Sequence, residues 1–168
     1  MIQIYTGNGK GKTTAALGLI VRALGQGHKV CLVQFMKNNW DYGEIIFLSR
    51  QVNIDIFKYG SDHFVTKEHP APEDITEAEA ALQKAREVLV SGKYDLVVLD
   101  EINVAVYMKL IDLNRQLELL PLAKNAELVM TGRYAAKEVI AEADLVTEMQ
   151  QIKHYFDKGT ASRKGIEY

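Results

Sequence analysis

Gly7-Asn8-Gly9-Lys10-Gly11-Lys12-Thr13-Thr14 is the stretch on which the fold turns. It joins an apolar, β-branched run, Ile2 to Tyr5, to an apolar helical pattern that opens at Thr13. Glycines at this spacing let consecutive backbone N–H groups turn toward one anion, and the helix behind them adds the positive end of its dipole. Lys12 is then placed to reach the terminal phosphates of a nucleotide, and the Thr13 hydroxyl a magnesium ion. Counted back from Lys12, the common spacing GxxxxGK[ST] puts its first glycine where this chain has Thr6, so the loop is a variant. A bare glycine-rich turn is the competing reading. GKTT between a strand and a helix is the context that favours the nucleotide.

Apolar runs alternate with helical patterns along the whole chain. Strands are expected at Ile2 to Tyr5, Val30 to Phe35, Ile54 to Tyr59, Leu96 to Leu99, Leu128 to Thr131 and Leu145 to Met149. That rhythm predicts an α/β fold, P-loop NTPase-like, with a mostly parallel sheet of five to six strands and helices on both faces. The helix from Thr13 to about Leu24 is apolar on most sides, with Gly25 and Gly27 to end it. A second helix is expected from Glu77 to Val90. Thr76 and Glu79 form its capping box, a stripe from Ala78 to Leu89 its buried side, and Ser91-Gly92 its stop. Lys37 to Glu44 and Gly60 to Asp74 break the rhythm where parallel strands end, which places both loops on the rim where such sheets bind ligands, unless they are plain connectors.

At 168 residues, 48% apolar and 25% charged, the chain is expected to form one domain over residues 1–168. A formal charge of −2 without a long Lys/Arg block argues against nucleic acid as a partner. No apolar run reaches membrane-spanning length and no leader precedes Ile2, so a soluble cytoplasmic protein is expected, with Cys31 as a core residue. Leu96-Val97-Val98-Leu99-Asp100-Glu101 is an apolar strand that ends in two carboxylates, the pattern that holds magnesium opposite Thr13, though either acid could cap a following helix. His28, His63, His69 and His154 lack metal-site spacing, and no residue marks itself as a general base. A reaction whose attacking group carries no proton suits such a chain.

Several separated motifs then fall into one order: GNGKGKTTAALGL from Gly7, VQFMK from Val33 with Gly43-Glu44 behind it, YDLVVLDEIN from Tyr94, TGR from Thr131, ADLVTEM from Ala143, Lys153-His154, and GIEY from Gly165 to Tyr168. Together they resemble the phosphate-loop type of ATP:corrinoid adenosyltransferase. The resemblance implies transfer of the 5′-deoxyadenosyl group from ATP to the cobalt of a reduced corrinoid, with triphosphate released. It further implies Mg2+ or Mn2+, a homodimer and a flavoprotein as electron donor. Gly7, the amides of Asn8, Gly9, Lys10, Gly11 and Lys12, and the Lys12 side chain would hold triphosphate; Thr13 and Glu101, with Asp100 in support, the metal; and Thr14 would cap the phosphates. Arg22 matches a nucleotide-associated arginine of the family, or else makes a surface salt bridge. Lys37, Glu44 and Arg133 either orient ATP and close the site or stand as solvated charges. A kinase or ATPase acting at phosphorus and a nucleotide-dependent switch stay open as alternatives.

Two departures from the family pattern stand out. Relatives often carry Phe and Trp together in the loop after the third strand, beneath the corrin. This chain keeps Phe64, expected to contact the corrin, but its only tryptophan, Trp40, lies in the other rim loop. Many relatives also have a segment before the first strand that folds over the site. With Ile2 opening the strand, closure falls to the rim loops or to the tail from Asp157 to Tyr168, which is expected to be mobile until a ligand binds.

Overall fold

The computed structural model of the chain describes residues 1–63, 65–67 and 69–168. Six strands, β1 (Ile2–Thr6), β2 (Val30–Gln34), β3 (Ile54–Lys58), β4 (Leu96–Asp100), β5 (Glu127–Thr131) and β6 (Leu145–Glu148), form one sheet in the order β3-β2-β4-β5-β1-β6. Every pairing is parallel. All six strands found in the sequence are present, each within a residue or so of its expected ends.

The helices are α1 (Lys12–Gly25), α2 (Gly43–Leu48), α3 (Pro72–Ser91), α4 (Ile102–Tyr107), α5 (Leu113–Leu117) and α6 (Lys137–Ala141). Strands β2 and β4 are buried at every residue, which is why they read as continuous apolar runs. Their side chains alternate between two cores. Val30, Leu32, Leu96 and Val98 pack with Ala16 and Ile20 of α1 and with Ile45 and Leu48 of α2. Cys31, Val33, Val97 and Leu99 pack with the α3 stripe from Ala78 to Leu89 and with Ile102 and Ala105 of α4. Burial pushes the Cys31 thiol up to about 12, so it acts as a small apolar group.

Two expectations need correction. Helix α1 buries one stripe, Lys12, Ala16 and Ile20, and leaves Val21 and Arg22 exposed, because it lies on a single face of the sheet. Helix α3 starts five residues before Glu77. Pro72 sits in its first turn, where a fixed φ and a missing N–H suit a helix start, and Asp74 accepts from the Ala71 N–H at 2.9 Å. Thr76 is already inside the helix and donates back to the Pro72 carbonyl at 2.9 Å, so it caps nothing. The end is as expected, with Gly92 at φ +62. The tail is exposed along nearly all its length; near its end Glu167 pairs with Lys10 at 2.7 Å and, within the tail, with Arg163 at 3.0 Å. No helix among the described residues is long and apolar enough to cross a membrane.

Candidate active site

The loop after β1 is shaped by contacts that its own sequence does not contain. Gly7 has φ +90 and Gly11 φ +120, backbone that a side chain rarely tolerates. A Cβ on Gly7 would lie 2.5 Å from the Met149 carbonyl oxygen, and one on Gly9 2.7 Å from those of Met149 and Gln150. The chain leaving β6 therefore presses on the loop from behind. Gly9 N–H donates to the Met149 carbonyl at 2.6 Å, and Met149 N–H to that of Thr6 at 2.9 Å. Lys12 opens α1 and is buried; its Nζ donates to the carbonyls of Gly7 and Gly9 at 2.7 Å each. Burial, then the neighbouring Arg133, lower its pKa against the pull of Glu101 and Asp100.

Strand β5 lies between β1 and β4, so three strand ends meet beneath one rim. Asp100, fully buried at the end of β4, is their junction. Its Oδ1 accepts from the hydroxyls of Thr131 at 2.6 Å and Thr13 at 3.0 Å, and its Oδ2 from Lys37 Nζ at 2.7 Å and Gln34 Nε2 at 3.0 Å. Burial would raise the Asp100 pKa, but the Lys37 ammonium and the Thr131 and Gln34 hydrogen bonds outweigh it and hold the group ionised below the usual range. Glu101 differs. It has φ +66, its N–H is held by the Thr131 hydroxyl at 3.0 Å, and its carboxylate lines the cavity, with burial and the Asp100 charge raising its pKa. Left-handed backbone at a non-glycine residue costs about 1–2 kcal/mol and persists where surrounding bonds hold it.

Lys37 Nζ also lies 3.3 Å from the Thr13 hydroxyl and 3.8 Å from Glu101 Oε1. Burial lowers its pKa, yet the two carboxylates more than compensate and hold it charged. A cation is thus already drawn among Thr13, Asp100 and Glu101. All three offer oxygen, the donor set of a hard divalent ion, so the residues fit magnesium.

Residues from Gly9 to Thr14, with Glu101, Arg133 and His154, line one cavity of about 590 Å³. Asn8 is exposed at the tip of the loop. Lys10 Nζ donates to Glu167 of the tail at 2.7 Å, and both residues line the same cavity. Glu44, in the first turn of α2, supports the charge of Lys37. Arg22 is not brought to this site: it lies about ten residues, or about 15 Å, along α1 and lines a separate cavity with His28 and Asp95. Helical spacing alone determines that separation. Trp40 is half exposed and stands 5.8 Å from the Lys58 ammonium. Phe64 lies outside the described residues.

Sequence reasoning missed Gln34, Lys58 and Thr131. Each ends a strand of the same sheet, which is the signal that could have found them. Lys58 donates to Gln34 Oε1 at 2.5 Å, and burial, then Lys37, bring its pKa down to about 8.

Comparison with known proteins gives the family of the chain. The family model for ATP:corrinoid adenosyltransferase BtuR/CobO/CobP matches residues 1–168. Corrinoid adenosyltransferase of Pseudomonas aeruginosa is 37% identical over 169 residues, covering 100% of this chain and 83% of that protein. The proteins of that name from Escherichia coli K12 and, as corrinoid adenosyltransferase CobA, from Salmonella typhimurium are each 34% identical, covering 100% of this chain and 85% of theirs. With a full-length family match and the loop, carboxylates and basic residues gathered on one rim, this chain belongs to the ATP:corrinoid adenosyltransferase family.

Proposed function

We propose that this chain transfers the 5′-deoxyadenosyl group of ATP to the cobalt(I) of a corrinoid and releases triphosphate. The observation that carries the reading is the convergence of Lys12, Thr13, Glu101 and Arg133 on one cavity in a chain that matches the family from end to end. In the reaction the cobalt(I) electron pair forms a bond to C5′, cobalt becoming formally cobalt(III). The C5′–O bond breaks and its pair leaves on triphosphate. The nucleophile carries no proton, so no base is needed at the attacking atom.

What the protein supplies is position and charge. Backbone N–H groups from Asn8 to Lys12 hold the phosphates, and Lys12 exchanges its two loop carbonyls for phosphate oxygens. Arg133, close enough to Lys12 to lower its pKa, adds a second charge where the leaving group becomes more negative. Asp100 keeps the Thr13 hydroxyl oriented, while Glu101 presents its carboxylate to the cavity. Bound at Thr13 and Glu101, magnesium would add its charge to the triphosphate side of the breaking bond. Thr14 caps the phosphates, Lys37 and Glu44 orient ATP, and Phe64 meets the corrin. The same reading makes the working unit a cytoplasmic homodimer that takes its electron from a flavoprotein.

Product analysis tests it. With ATP and chemically reduced corrinoid, phosphorus NMR is expected to show inorganic triphosphate formed one for one with adenosylated corrinoid. ADP and phosphate instead would assign the chain to chemistry at phosphorus.

A further inference from the structure

Two tyrosines at the cavity come from different elements and stack. Tyr107 ends α4 and Tyr134 lies in the turn after β5; their ring centroids are 4.0 Å apart at an interplanar angle of 27°. The Lys67 ammonium stands 3.5 Å from the Tyr107 centroid. An aromatic ring has two faces, and a cation and a stacked ring so close to one centroid must occupy opposite ones. Tyr107 is therefore used on both sides. Among the described residues Tyr107 is the one ring stacked on Tyr134, which is 48% exposed and lines the cavity that contains the phosphate loop. The stack is one layer short.

Tyr134 is also held where it is at a cost. Its φ is +62, a region that a side chain with a Cβ normally avoids. The turn that carries it is pressed onto α4: Gly132 has φ +128, and a Cβ there would lie 3.0 Å from Val104 N and 3.1 Å from Asn103 Cβ. One residue earlier, Thr131 is locked to Asp100 and to the Glu101 N–H. The network that organises the phosphate end thus also fixes the position of the ring. Local strain retained beside a binding site points to a role for the geometry it maintains.

We propose that Tyr134, backed by Tyr107, is the platform on which the adenine ring of ATP stacks while its phosphates occupy the loop. This rests on the reading of the chain as an ATP-dependent enzyme and adds the residue that recognises the base. A single cavity joins loop and ring, so the two ends of one nucleotide reach both. One tyrosine face matches a purine in area, whereas a corrin is several times wider and needs a broader apolar floor. A neutral base needs no counter-ion, and Lys67 lies on the remote side of Tyr107. Stacking on an aromatic side chain is worth enough to change affinity from several-fold to about a hundredfold.

Calorimetric titration with Mg-ATP and, separately, with magnesium and inorganic triphosphate tests the assignment. The unmodified protein is expected to bind ATP at least about tenfold more tightly than triphosphate. Tyr134→Ala removes that surplus and leaves triphosphate binding unchanged. Tyr134→Phe keeps it, because the face and not the hydroxyl stacks. Tyr134→Asn, which suits the left-handed backbone, must behave like the alanine variant, so that the loss cannot come from altered strain. Unchanged ATP affinity in Tyr134→Ala would overturn the assignment. So would an equal loss for both ligands, or a loss of cob(II)alamin binding with ATP binding intact, which would give the ring to the corrin. An unmodified protein that binds neither ATP nor triphosphate would instead overturn the underlying ATP-dependent reading.

Discussion

Two buried aspartates organise the two sides of the rim, by different means. On the phosphate side Asp100 joins Thr13, Gln34, Lys37 and Thr131, residues from three separate segments, and the loop above is bonded backbone to backbone by Met149, with Gln150 packed against Gly9. On the side of the third-strand loop Asp74 accepts from Ser61 at 2.5 Å, from His63 and from the Ala71 N–H, all within fourteen residues of itself. One hub ties the core of the sheet together; the other pins a loop to the helix that follows it. Damage on the first side should spread to chemistry and stability, whereas damage on the second should stay local.

The comparison can be broken at Lys12. Lys12→Ala removes the charge nearest the leaving group and is expected to lower kcat/KM for adenosyl transfer by about a thousandfold, measured under saturating reduced corrinoid. A loss under tenfold would mean that the loop does not carry the reaction. Next comes the pair of hubs. Asp100→Ala leaves the partly buried Lys37 ammonium without its nearest carboxylate, together with three orphaned hydrogen-bond donors, and is expected to cost about 3 kcal/mol of stability in urea unfolding, whereas Asp74→Ala forfeits a cap and a hydroxyl bond worth about 1 kcal/mol. Equal costs would erase the contrast.

Both aspartates also titrate in the same direction. Burial raises the pKa of both, but for Asp74 the hydrogen bonds from Ser61 and the Ala71 N–H, and for Asp100 the Lys37 ammonium with the Thr131 and Gln34 bonds, bring it below the ordinary carboxylate value. Below pH about 4 the unfolded chain binds protons that the folded one refuses, so stability is full above that pH and falls as pH drops toward the folded values. Asp74→Asn should flatten that acid limb.

Smaller effects sharpen the picture. Gly9→Ala drives a methyl into two backbone carbonyls that cannot swing aside and is expected to cost about 1–3 kcal/mol, with weaker ATP binding by calorimetry. Lys58 gives the smallest effect. Its folded pKa of about 8 lies below that of the unfolded chain, so between about pH 8 and 10 the unfolded state holds more protons and this residue's contribution to stability rises with pH. Lys58→Met should remove that rise, a change of about one to two degrees in melting temperature relative to the parent curve.

The fold was legible because its signals are local. Alternating apolar runs, GKTT after a strand and Asp100-Glu101 at the end of another each need only a few adjacent residues. Lys37 and Arg133 could be named because they follow strands whose ends share the rim. What escaped depends on adjacency in space. Nothing near Gly9 in sequence says that Met149 will lie against it, and ADLVTEM reads as a strand without revealing that it backs the loop. Gln34 and Thr131 look like ordinary strand ends until Asp100 is placed between them. Pro72 was a local signal overshadowed by Thr76 and Glu79. Arg22 follows the reverse course: a family resemblance suggested proximity to the nucleotide, and about ten residues of helix carry it toward the other end.

The most direct test of the account is anaerobic: the purified protein is mixed with Mg-ATP and chemically reduced cob(I)alamin, and the visible spectrum is followed before and after illumination. A light-sensitive alkyl-cobalt spectrum is expected to form only with ATP and to be lost in Lys12→Ala. A cobalt spectrum left unchanged by ATP, while ADP accumulates, would contradict it.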